Sequence, residues 1–108
     1  MNPQIYIAYF LGGLFLTNAI PHWVSGMMGR AFQSPFAKPH GEGLSSSIVN
    51  VLWGAFNAAV GYFLLFHVGT FDFRNLGHVG VAGFAALAGS LLLARRFGRF
   101  NGGNAPGH

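Results

Sequence analysis

The sequence predicts an all-α integral membrane protein: a three-helix bundle with an interfacial loop between the first and second helices. Three observations carry this reading. Of the 108 residues, 52% are hydrophobic and 7% charged, whereas a soluble domain carries roughly 25% charged residues. The apolar residues gather in three long uncharged runs, each able to cross the roughly 30 Å hydrocarbon core of a bilayer. Most of the basic residues fall on one side of those runs. Six Lys/Arg, two Asp/Glu and five His are too few to cover a water-soluble enzyme, and the apolar fraction excludes disorder. One domain, residues 1–108, accounts for the length.

The first run covers about 3–20. It has no basic flank, and Thr17-Asn18-Ala19 is a poor signal-peptidase site, so a retained span is expected rather than a cleaved signal. The second covers about 48–68, with Ser45, Ser46 and Ser47 as candidate N-caps. The third covers about 76–94 and ends at Arg95-Arg96. Backbone groups in lipid must be satisfied within the segment, so all three are helices.

The 21–47 connection is not an ordinary hydrophilic loop. Trp23, Phe32 and Phe36 suit the headgroup region, and Trp23/Met27 and Val24/Met28 stand four apart, as on a short interfacial helix. Pro35 and Pro39 impose extended backbone before the Gly41-Glu42-Gly43 turn. The 95–108 tail is basic and then Gly-rich, with mobility expected toward its end. Arg30, Lys38, Arg95, Arg96 and Arg99 lie on one side, and Arg74 beside Asp72 on the other. By the positive-inside rule the N-terminus is outside, and the loop and C-terminus are cytoplasmic. The arginine cluster then sets orientation and meets anionic lipid.

The second helix carries the clearest packing pattern. Asn50, Gly54, Asn57 and Gly61 stand four, three and four apart, making one stripe of small and amide side chains. The third helix repeats that spacing with His78, Ala82, Ala85 and Gly89, and the first offers Tyr6, Gly13 and Thr17. Such seams are how helices associate in lipid. The leading functional expectation is a small structural or accessory subunit, docking by its Asn/Gly seams onto a larger membrane complex or onto itself. The alternative is a homo-oligomeric channel or transporter with Asn50 and Asn57 lining the pore.

Cofactor and enzyme readings are weaker. His67 ends the second helix and His78 opens the third at similar depth, the arrangement a bis-histidine haem or metal site would need. His67 lies about a quarter turn off the Asn/Gly stripe, so no cofactor is expected. His22, Met27, Met28 and His40 fit no metal-ligand spacing. Without cysteine there is no thiolate ligand. Glu42 and Asp72, the two carboxylates, fall on opposite sides of the bilayer and cannot act as an acid–base pair. An enzyme is not expected. A nucleic-acid partner is also not expected, since no basic face is presented to water. Membrane lipids and other membrane subunits, or self-association, are the expected partners.

The run Pro21-His22…Gly26…Gly29…Phe32…Pro35-Phe36, followed by Asn50-Val51-Leu52-Trp53-Gly54 and Asn57, resembles a family of small bacterial multi-pass membrane proteins. The likeness covers the first two-thirds of the chain. It implies a bacterial source and an inner-membrane location, and supplies no activity. Val49-Asn50-Val51-Leu52 with Gly54 is also similar to a helix of the small dimeric fluoride channels. The chain departs from them in lacking a fourth helix, an arginine soon after Gly12-Gly13, and a paired pore-lining Phe motif. That likeness implies shared helix packing alone.

Overall fold

The computed structural model describes residues 2–107. Among these, three helices, α1 (Pro3–Met27), α2 (Ser47–Phe66) and α3 (Leu76–Asn101), are long and apolar enough to cross a membrane. Two short strands, β1 (Phe32–Gln33) and β2 (Leu44–Ser45), pair antiparallel within the α1–α2 connection.

The helix boundaries follow local chemistry. Asn2 caps α1 by accepting from the Gln4 amide, and Pro3 opens the helix where a missing N–H costs nothing. At the other end Gly29 takes a positive φ of 75°, while the Gly29 and Arg30 amides donate back to the Gly26 and Ser25 carbonyls. This closing pattern requires a left-handed residue. Ser46, one of the three candidate serines, caps α2 through the Val49 amide. Asn75 caps α3 by accepting from the Gly77 and His78 amides.

Two boundaries differ from the sequence reading. The first helix does not stop at Ile20 but continues through Pro21 to Met27. Trp23 and Met27 therefore lie on the last turns of α1 itself rather than on a separate short helix. Proline removes one hydrogen bond, a loss that a packed neighbour offsets in a membrane helix, and Gly26 lies flush against the α2 backbone. The third helix likewise continues to Asn101, so Arg95, Arg96 and Arg99 are helical rather than part of a tail. Beyond it the chain turns back: Gly102 adopts φ 85°, and Asn104 donates from Nδ2 to the Arg95 carbonyl at 2.7 Å.

The first helix is the hub. It packs along both α2 and α3, while α2 and α3 make little direct contact. Its neighbour α2 runs antiparallel. A Cβ added at Gly12 would lie 3.1 Å from the Gly61 carbonyl oxygen; at Gly61, 2.9 Å from that of Gly12; at Gly54, 2.6 Å from the Trp23 amide nitrogen; at Gly26, 2.5 Å from the Ser47 carbonyl oxygen. Gly12, Ala19 and Gly26 on α1 and Ser47, Gly54 and Gly61 on α2 each recur every seven residues, the spacing that keeps one seam facing its partner. Helix α3 runs parallel to α1 on its other side. A Cβ on Gly13 would lie 2.7 Å from the Ala82 carbonyl oxygen and 3.2 Å from the Ala85 Cβ, and Gly89 sits against Leu14 and Thr17.

Candidate functional site

The most polar part of the interior lies at the loop end of the bundle. His22, one residue after Pro21, is 3% exposed, and Asn50, on the first turn of α2, is fully buried. The Asn50 Nδ2 faces three carbonyl oxygens, those of Phe32, Ser45 and Ser46, at 3.1–3.2 Å. Only a donor fits there, so the amide orientation is decided and Oδ1 faces His22 at 2.8 Å. His22 Nδ1 therefore carries the proton and donates it to Asn50. In the neutral ring this leaves Nε2 as the unprotonated nitrogen.

The loop closes over this pair. Phe32, Trp53 and Phe97 set their rings edge-on to His22. Gln33 and Ser34 are buried, with Ser34 Oγ hydrogen-bonded to Ser45 Oγ across the ribbon. Asn101 donates from Nδ2 to Gln33 Oε1 at 3.1 Å, so the end of α3 joins the same assembly. Of the three aromatics expected at the headgroups, Phe32 is half-buried, with its ring against His22 and Phe97. Phe36 is exposed and rests edge-on against Trp53, while Trp23 lies half-exposed on α1.

About two turns further into the bundle, Asn57 is buried. It donates from Nδ2 to the Trp53 carbonyl at 2.8 Å and accepts at Oδ1 from Asn18 Nδ2 at 3.1 Å. The whole stripe of Asn50, Gly54, Asn57 and Gly61 thus faces α1 and is buried there. The structure places this seam inside the chain rather than on a surface where a partner could meet it. A pore lined by Asn50 and Asn57 would require α2 to part from α1. On α3, Ala85 and Gly89 are buried and Ala82 half-buried against α1.

At the turn end, His78 packs against Tyr6, Tyr9 and Phe71 and accepts from the Asp72 amide at Nδ1, 3.1 Å away. His67 instead lies exposed against Tyr62 and Phe63. The two imidazoles weighed as a weak haem or metal pair thus sit among different aromatic rings. His22 is buried while Met27 and Met28 are exposed, and His40 bonds the Pro35 carbonyl, so the other sulfur and nitrogen donors are also dispersed. Among the described residues no three His, Cys, Asp or Glu side chains group around a common point. Two buried donors there lack a partner, the Tyr9 hydroxyl and Trp53 Nε1.

The arginines expected to orient the chain are exposed at the loop end. Arg96 donates to the Gly41 carbonyl at 3.0 Å, Arg99 lies 3.7 Å from Glu42, and Arg30 and Lys38 project from the loop. An apolar groove of about 450 Å³ runs along α1 between the diverging α2 and α3, bordered by Gly13, Thr17, Leu65, Phe71, Val79 and Gly83.

Comparison of the chain with protein-family models, curated proteins and solved structures gives no match, so the functional reading rests on its own geometry. Sequence reasoning missed His22 as the partner of Asn50, and missed the α2-facing seam Gly12, Ala19, Gly26. The heptad spacing of those three was a signal available in the sequence. His22 had none, because its role depends on a loop ribbon that periodicity does not reveal.

Proposed function

We propose that this chain is a small structural subunit of a bacterial inner-membrane assembly, with its N-terminus outside and its loop and C-terminus in the cytoplasm. The Lys/Arg asymmetry supports that orientation. The observation that carries the structural role is the state of α3. Only 11% of its most apolar 18-residue window is buried, against 39% for α1. A Cβ added at Gly80 or Gly83 would meet nothing within 4 Å. A helical glycine is about 0.8–1.0 kcal/mol less favourable than alanine. Two of them one turn apart, without a neighbour inside the chain, suit a close-packed helix from another subunit. The docking face in this reading is α3 with its adjoining groove, because the Asn/Gly seam of α2 already holds α1.

Gentle extraction from native membranes, followed by the mass and composition of the intact particle, tests this. A particle containing other polypeptides, or a small multiple of the 11.5 kDa chain, is expected. Gly83→Ile should shrink it while helicity is retained. A particle of one chain overturns the proposal.

A further inference from the structure

The end of α3 carries more than scattered positive charge. Arg95, Arg96, Arg99 and Asn104 border a recess of about 330 Å³ whose remaining wall is Leu92. Two of the guanidinium groups are already held in place. Arg96 is tied to the Gly41 carbonyl and lies 5.5 Å from the Phe100 ring centroid, and Arg99 lies 5.1 Å from the same ring. The returning chain adds the Asn104 side chain, anchored on the Arg95 carbonyl. Arg95 has no carboxylate within ion-pair distance among the described residues, and the Glu42 contact with Arg99 is long and solvent-exposed. Such an exposed pair is worth little. Among the described residues five basic side chains lie at this end, Arg30, Lys38, Arg95, Arg96 and Arg99, with one side-chain carboxylate, Glu42. The recess therefore keeps a surplus of positive charge. Directly below it along α3, Leu91 and Leu92 are exposed, followed by the apolar span.

A phosphate bearing acyl chains matches that sequence of surfaces, with guanidinium above and uncovered leucine below. We infer that the recess is a headgroup site for an anionic phospholipid. Guanidinium N–H groups hold the phosphodiester oxygens, and the acyl chains lie along Leu91 and Leu92. Because Arg96 also binds Gly41, a lipid held there joins α3 to the loop. The inference rests on the membrane reading above and is tested separately from it.

The protein is purified in detergent, and lipid retention is read by native mass spectrometry after adding equal amounts of phosphatidylglycerol and phosphatidylcholine. Preferential retention of phosphatidylglycerol is expected. The Arg95→Gln/Arg99→Gln double variant should lose about thirtyfold of that affinity, roughly fivefold per arginine. Arg74→Gln, at the other end of the bundle, should lose none. Equal retention of both lipids by the wild-type chain overturns the site without reliance on any variant. So does full retention by the double variant with unchanged helicity. Displacement of the lipid by millimolar inorganic phosphate would identify a site for a soluble anion instead and overturn the lipid assignment. Release of the chain from membranes by alkaline carbonate would defeat the membrane reading itself, whereas a carbonate-resistant chain without lipid preference defeats this inference alone.

Discussion

Against α2, α1 presents Gly12, Ala19 and Gly26 together with two side-chain hydrogen bonds, Asn18 to Asn57 and His22 to Asn50. Against α3 it presents Gly13 and Thr17, and among the described residues no side-chain hydrogen bond joins these two helices. For helices apolar enough to cross a membrane the difference matters, because in a bilayer lipid chains are as apolar as leucine and burial alone does not drive helices together. Directional bonds and backbone contact hold α2 in one register. Small-residue shape holds α3, aided by ties near its loop end: Arg96 to Gly41 and Asn101 to Gln33. One interface is fixed by directional bonds and the other by shape.

The largest expected effect tests the side held by directional bonds. Asn50→Leu strands the His22 N–H and removes the donor to three carbonyls, at about 1–3 kcal/mol for each buried group left unmade. Unfolding in mixed micelles, followed by circular dichroism, should show a loss of about 3 kcal/mol or more. A loss no greater than that of Ser90→Ala, whose hydroxyl only returns to the Ala86 carbonyl of its own helix, would erase the distinction between the interfaces.

A smaller effect sharpens it by making the same substitution on both sides. Gly54→Ala drives a methyl to 2.6 Å from the Trp23 backbone nitrogen, where nothing yields easily, and overpacking of this kind costs about 1–3 kcal/mol. Gly89→Ala meets the Leu14 side-chain end at 3.0 Å, which can rotate away, and Thr17 only at the ordinary contact distance of 3.7 Å. Its loss should stay below about 1 kcal/mol, since alanine also favours the helix. Equal losses in the same unfolding assay would mean that α3 is held as rigidly as α2.

The smallest effect has the opposite sign. Tyr9 is fully buried and its hydroxyl has no partner. Tyr9→Phe removes a desolvated donor and keeps the ring against Phe71 and His78. Stability should be unchanged or rise by about 1 kcal/mol. A clear loss would show that the hydroxyl takes part in a bond at the turn end.

The three helices, the Ser46 cap and the inward face of α2 were legible in the sequence, because each depends on neighbours within one turn or on a period of 3.6 residues. The α1 end was misplaced. Proline is read as a stop from local geometry, and only a packed neighbour lets the helix continue through Pro21. The candidate site was half legible: the spacing of Asn50 and Asn57 marked a seam, while the pairing of His22 with Asn50, of Asn18 with Asn57 and of Phe32 with His22 left no mark in the sequence.

Composition and periodicity by themselves determined that this chain forms apolar helices of membrane-crossing length, where they begin, and which faces carry small and amide groups. Only the tertiary structure decided which face meets which. A stripe of Asn and Gly is suited to any close helix, and here α1 takes it because Gly12, Ala19 and Gly26 repeat at the matching interval. The ribbon then delivers two carbonyls, those of Phe32 and Ser45, to join the Ser46 cap carbonyl at Asn50, and that fixes its amide and the proton of His22. Such long-range hydrogen bonds have no periodic trace in the sequence, since their geometry exists only once the loop has closed.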